Sequence, residues 1–405
     1  MEQQRKVRAE VKLPLILIHT PFGLDFFDRV AKWPGAKAWA NVNAYFMPLI
    51  TALAIFLIVG SLAVLFSNAD ARAGVSSLGP QANLLIPGLN PYLPITYGWI
   101  ALVVTIIIHE AGHGILARVY NIRVDSTGIV LLLGLPIGAF VNIERDELAK
   151  ATLKQKSAVL TAGPLNNMIL AGLSLLALFL IMSTLTPLPP NPNGPQFGAL
   201  VTNVNPDSLA ESIGLPQGAT IQTVADQEIR TVEALGSALR GNLGQTVNIT
   251  WVEQSGQTVI KAVTLPSAVE PGRGILGISV FVPDPVRTLE NYKGAFGANA
   301  LQLLLPPTIQ PGLVPYSDTM APMYESSIGP SWAIMANMLF WLWFVNFNVG
   351  IFNALPIGPL DGGQLYGSIL EKKIRSVAIA KHAANLLTIA MVAIVAASIL
   401  LPYVR

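Results

Sequence analysis

Five long apolar stretches limit what this chain can become more than any other feature does. Four lie at about Phe46–Phe66, Tyr97–Ala117, Ala158–Met182 and Trp332–Phe352, and a fifth, about Val377–Leu401, closes the sequence. Each is close to the roughly 20 residues that a helix needs to cross a bilayer. Of the 405 residues only 12% are charged and 52% are hydrophobic, where ordinary globular domains carry about 25% charged residues. The expected fold is therefore a mostly α-helical polytopic membrane protein with about five transmembrane helices. A net charge of +2 is too near neutral to suggest a nucleic-acid partner. The chain has no cysteine, which excludes disulfides and thiolate metal ligands, so a tightly held metal must use His, Asp, Glu or backbone groups. The basic N-terminus MEQQRKVRAEVK runs into a short, proline-interrupted apolar segment without a small-residue cleavage site, so a removed signal peptide is not expected.

The segments between the spans differ in character. Residues 127–144, TGIVLLLGLPIGAFVNIE, are apolar but too short to span, and Gly134, Pro136 and Gly138 interrupt them. Those breakers predict a re-entrant β-hairpin rather than a helix. A Pro/Asn/Gly linker at 183–197 leads into a stretch of soluble composition, 198–282, whose alternating runs TVNITWVE and TVIKAVTL read as strands. The resulting division is a cytoplasmic or interfacial arm at 1–45, spans one to three at 46–182, the linker, a small inserted β-rich domain at 198–282, a Pro-rich connection at 283–330 with no assigned fold, and spans four and five at 331–405.

Short basic loops set the orientation. The N-terminal arm, the 118–156 loop with Arg118, Arg123, Arg145, Lys150, Lys154 and Lys156, and EKKIR at 371–375 are all basic, whereas the 67–96 loop carries only Arg72. With the N-terminus cytoplasmic, those three basic stretches fall on one side, and the inserted domain falls outside.

Span two ends in HEAGH, an H-E-x-x-H pattern at His109, Glu110 and His113. Histidines four residues apart on a helix share a face and can bind one metal ion, with Glu110 placed to take a proton from a water on that ion. An isolated charge at mid-bilayer costs at least roughly 2.5–3.5 kcal/mol, so ionisable groups there are functional by default. The bland reading is a pair of interior histidines hydrogen-bonded to neighbouring helices. A catalytic zinc usually has three protein ligands and an open position. The candidate third ligand is Asp361 in FNALPIGPLDGGQL, where Pro356 and Pro359 break the fourth span. In isolation, Asp-Gly-Gly reads as an ordinary turn at the membrane surface.

Together, these motifs resemble the site-2 protease family of intramembrane zinc metalloproteases. The family pairs HExxH with N-x-x-P-x-x-x-L-D-G, matched here by Asn353, Pro356, Leu360, Asp361 and Gly362. Its G-P-x-x-N mark appears at Gly163, Pro164 and Asn167 in the intervening span. The resemblance implies one zinc per chain held by His109, His113 and Asp361, Glu110 as catalytic base, and Asn353 and Asn167 in binding substrate or orienting the site. It implies single-span membrane proteins as substrates, cut within the bilayer, and a multi-pass protein of a prokaryotic cell membrane. The 127–144 hairpin would pair with the unwound substrate. Trp99 lies ten residues before His109, about 15 Å at roughly 1.5 Å per residue. Arg118 follows His113 closely, which places the site toward the cytoplasmic half.

The inserted domain contains a pattern similar to PDZ domains, at Ala210, Gly214, Leu215, Gly218 and Ile221, with a carboxylate-loop-like RGILGI at 273–278. It would take peptide termini; a β-rich spacer without a ligand is the alternative. His19 and His382 have no partners at metal spacing and read as surface or interfacial residues. Two further readings of the whole chain are a metal-ion transporter, against which the absence of internal repeats speaks, and a catalytically inactive scaffold, against which the intact Glu110 speaks.

Overall fold

The structure, a computed structural model, describes residues 7–133, 135–188, 198–253, 256–268, 274–297 and 300–404. Gly134, Arg273 and most of the 183–197 linker lie outside them. Two compact units emerge, one from residues 1–178 and 338–405, the other from 179–337.

The first unit begins with strands β1 (Arg8–Lys12) and β2 (Leu15–Thr20) and helix α1 (Leu24–Ala31), followed by the long helix α2 (Ala36–Ser67), α3 (Ala69–Leu78) and α4 (Ile95–Val119). A hairpin of β3 (Val124–Leu132) and β4 (Leu135–Ile143), the short α5 (Arg145–Lys150) and α6 (Leu153–Ser183) come next. The apolar 127–144 segment thus forms an antiparallel hairpin, in which Thr127 faces Val141 and Ile129 faces Ala139. The arm supplies β1 and β2, which extend the hairpin into a four-stranded sheet ordered β1-β2-β3-β4.

That pairing corrects the reading of His19. It is buried, with Nδ1 3.0 Å from Ser126 Oγ and Nε2 3.5 Å from Glu10 Oε2, and its ring meets Phe140 edge-on. The sheet covers a residue that its local sequence leaves apparently free. His382 is exposed, its Nδ1 2.8 Å from the Ala378 carbonyl.

The second unit opens with β5 (Leu185–Pro187), then β6 (Ala199–Val204), α7 (Leu209–Ser212), β7 (Thr220–Val224), β8 (Gln227–Glu228), α8 (Val232–Gly241), β9 (Thr246–Val252), β10 (Thr258–Thr264) and β11 (Ile278–Phe281). TVNITWVE and TVIKAVTL supply β9 and β10, paired antiparallel from Thr246 opposite Thr264 to Val252 opposite Thr258. The main path of the sheet runs β10-β9-β7-β6-β11. Its core gathers Ile221, Ile249, Trp251 and Leu265 against Leu235 and Leu239 of α8. The connection that follows contains α9 (Pro285–Ala295), three 3-10 turns and β12 (Tyr324–Ser326), which pairs with β5. Asp284 caps α9, its Oδ1 accepting the Arg287 N–H 2.9 Å away, and Pro285 takes the first helical position.

Helices α10 (Trp332–Asn353), α11 (Asp361–Lys373) and α12 (Val377–Leu400) complete the chain. Among the described residues five helices, α2, α4, α6, α10 and α12, are long and apolar enough to cross a membrane, in agreement with the five expected spans. The largest shift is in α2, which starts ten residues before the apolar run. Its first turns are held by Ala36, Ala40 and Ala44, which pack with Leu116 and Ala117 of α4 and Ala158 and Ala162 of α6. Small residues of this kind let helix backbones approach closely where lipid removes the hydrophobic incentive to associate.

Candidate metal centre

His109 and His113 sit one turn apart in the buried half of α4, their ring centroids 4.8 Å apart. Helix α4 approaches α6 closely here, through glycines on both helices. A Cβ on Gly112 would lie 2.8 Å from the Ala162 carbonyl oxygen, and one on Gly163 would lie 2.5 Å from Nε2 of both histidines. Only a bare α-carbon at 163 leaves room for the two imidazoles. Pro164, the next residue, deprives the Leu160 carbonyl of its helical donor.

Asp361 arrives from the other end of the chain. Helix α10 stops at Asn353, and the segment before α11 turns back, with Thr51 Oγ1 donating to the Ala354 carbonyl (2.7 Å) and Thr388 Oγ1 accepting the Gly358 N–H (3.0 Å). The turn packs so tightly under the first residues of α11 that Cβ atoms on Gly362 and Gly363 would collide with the carbonyls of Ala354 and Ile357. The two glycines of Asp-Gly-Gly therefore seat the carboxylate, which is buried and is no surface turn.

The three side chains converge. Asp361 Oδ2 lies 3.1 Å from His109 Nε2 and 3.4 Å from His113 Nε2. Ligand atoms about 2.0–2.1 Å from a tetrahedral zinc stand roughly 3.3 Å from each other, so the spacing fits one ion. Donor chemistry agrees. His113 Nδ1 is 2.7 Å from the Val159 carbonyl; that acceptor requires Nδ1 to carry the proton, which leaves the Nε2 lone pair toward Asp361. His109 Nδ1 is 3.0 Å from Nδ2 of Asn167, whose buried Oδ1 finds no partner. Exchanging the ends of that amide, which preserves its shape, presents Oδ1 to an Nδ1–H and frees the His109 Nε2 lone pair as well. Three acceptors aimed at one point call for a cation.

A cavity of about 300 Å³ opens beside this triad. Glu110, Asn353 and Gln364 supply its further polar groups, and Val141, Ile143 and Leu148 form an apolar wall. Glu110 Oε2 accepts the backbone N–H of Val141 at 2.9 Å. Asn353 lines the cavity while its Nδ2 donates to Val349 of its own helix (3.0 Å). Asn167 is fully buried at the rear of His109 and is not part of the cavity wall. Gln364 was not anticipated, although its place three residues after Asp361 puts both on one helix face. The Val141 amide has no side-chain signature and could not have been found from sequence.

The profile of peptidase family M50 matches residues 97–398, a stretch that contains His109, Glu110, His113, Asn167, Asn353, Asp361 and Gln364. The chain belongs to peptidase family M50. This agrees with the resemblance read from the motifs. An uncharacterized protein of Methanocaldococcus jannaschii is 32% identical over 154 residues, 38% of this chain and 40% of that one. A Clostridium perfringens protein, provisionally described as a zinc metalloprotease, is 26% identical over 318 residues, 71% of this chain and 91% of its own length. The zinc metalloprotease RasP of Oceanobacillus iheyensis is 25% identical over 236 residues, 54% and 52% of the two chains. The chain thus spans about half or less of the Methanocaldococcus and Oceanobacillus relatives. Within M50, these matches and the five apolar helices describe a multi-pass membrane protein.

Proposed function

We propose that this M50 chain is an intramembrane zinc endopeptidase of the site-2 type, cutting transmembrane segments of single-span proteins. The observation that carries the reading is the convergence of His109 and His113 from α4 with Asp361 from α11 beside a cavity that also holds Glu110. Zinc, when bound there, would polarise the substrate carbonyl and acidify water. His109, His113 and Asp361 hold it, and Glu110 takes a proton from the attacking water and passes it to the departing amide nitrogen. Asn167 fixes the His109 ring, and Asn353 and Gln364 offer hydrogen bonds to substrate backbone.

A transmembrane helix hides its carbonyls in i to i−4 bonds, so the substrate must unwind before it is cut. Strand β4 has no strand on its outer side among the described residues, and Val141 and Ile143 of β4 border the cavity. An unwound segment that adds to this edge gains backbone partners next to the metal site. In this reading the β3–β4 hairpin dips into the bilayer from a cytoplasmic side that also holds the N-terminus, in a prokaryotic cell membrane. The β6–β11 domain, with the PDZ-like pattern around Gly214 and Gly218, lies outside and receives peptide termini.

The test is cleavage of a single-span substrate in detergent by wild type and by Glu110→Gln, with and without chelator. Wild-type cleavage that both the chelator and the substitution abolish supports the reading. Equal cleavage by Glu110→Gln contradicts it, and zinc flux into liposomes without cleavage would favour a transporter.

A further inference from the structure

The contact between Glu110 and Val141 bears on how the base is controlled. In an antiparallel ladder, alternate residues turn their N–H and C=O toward the neighbouring strand and away from it. The Val141 N–H points to Glu110 of α4, which puts the Thr127–Val141 pair, and by alternation the Ile129–Ala139 pair, in the set whose amides turn outward from β3. This outward set is what an added strand would pair with. One N–H cannot serve both the Glu110 carboxylate and a substrate carbonyl at full strength, because both acceptors need the same place about 2.9 Å from the nitrogen.

We propose that the Val141 amide is a shared donor that holds Glu110 while the β4 edge is free and passes to a substrate carbonyl on docking, releasing Glu110 for proton transfer. Val141 is thereby a positioning residue that acts through its backbone. The inference rests on the strand-addition reading above and extends it: docking at the edge and freeing of the base become one event. A water molecule that enters without substrate meets a carboxylate whose Oε2 is held toward β4 by the Val141 N–H. A helical segment that has not unwound cannot offer the carbonyl that frees it.

The experiment replaces Val141 by its α-hydroxy acid in the full-length zinc-loaded protein, which keeps the side chain and exchanges the N–H for an ester oxygen. Because this amide faces outward, no ladder N–H is removed; the Phe140 carbonyl opposite Gly128 becomes a weaker ester acceptor but keeps its place. The first readout is the infrared band of the Glu110 carboxylate, identified by its loss in Glu110→Gln. The probe is a single-span peptide with ketomethylene links at its centre, which retains carbonyls and resists cleavage. In the unmodified protein the band should shift when this peptide is added. In the ester protein it should already lie at the shifted position and stay there. The second readout is hydrolysis of the cleavable peptide. Losing one neutral backbone hydrogen bond to substrate should raise KM roughly 3–10-fold, with kcat held or raised. A fall in kcat at constant KM would mean that the amide serves catalysis by holding Glu110, and would overturn the proposal.

Docking is checked separately. The chain has no cysteine, so Ala139→Cys and a cysteine-bearing peptide give a clean disulfide test of strand addition. Cross-linking without any movement of the Glu110 band overturns the shared donor and leaves strand addition standing. Absence of a cross-link together with an unmoved band removes both.

Discussion

Asp361 Oδ2 lies 3.1 Å from His109 Nε2 although 252 positions separate the two residues in the chain. One belongs to a helix that crosses the apolar core, the other to the first turn of a helix that starts after a proline-broken descent. Everything proposed for this protein depends on that meeting.

The ring of His109 is set from behind by Asn167. Replacing Asn167 with Ala removes the one hydrogen-bond partner found for Nδ1 and should lower zinc affinity about 10–100-fold, the usual effect of losing a group that orients a ligand. Competition titration with a fluorescent chelator measures this. Unchanged affinity would mean that packing alone orients the ring.

Gly163 is the glycine whose space the two ligand imidazoles occupy. Gly163→Ala would bring a methyl group to 2.5 Å from both Nε2 atoms, so α4 and α6 must separate or the rings must turn. The expected cost is about 1–3 kcal/mol, typical of overpacking, with zinc lost from most molecules. Thermal unfolding and metal content, read on the same sample, test the two parts together.

The inserted sheet has a core of its own, in which Trp251 is a large, fully buried side chain. Trp251→Ala should destabilise the second unit by about 3–5 kcal/mol. Hydrogen exchange should then rise across β7, β9 and β10, while zinc content stays at the wild-type level. Loss of zinc from this variant would show that the metal site depends on the inserted domain.

How much was legible in the sequence follows from the physics of each part. The spans could be read because bilayer thickness fixes helix length, and Trp332–Asn353 starts where its apolar run starts. The ligand set could be read because helical spacing places His109 and His113 on one face, and because Asp361 sits in a motif. The arm could not. Its strand β2 is held by β3, with Thr20 opposite Thr127, and a partner so distant leaves no periodicity in LILIHT. For the same reason His19 looked free and is buried. Helix α9 is a different case: Asp284 and Pro285 form a legible helix start that the proline content of the surrounding segment obscured. The Val141 amide is a backbone group, equally silent in any residue type except proline.

The central claim is that His109, His113 and Asp361 share one ion, and zinc content of purified protein tests it most directly. After exposure to zinc and removal of excess, mass spectrometry of the metal should find one zinc per chain in wild type and in Glu110→Gln. Asp361→Ala and His113→Ala should each retain only a small fraction. Full zinc in Asp361→Ala, or none in wild type, would contradict the account.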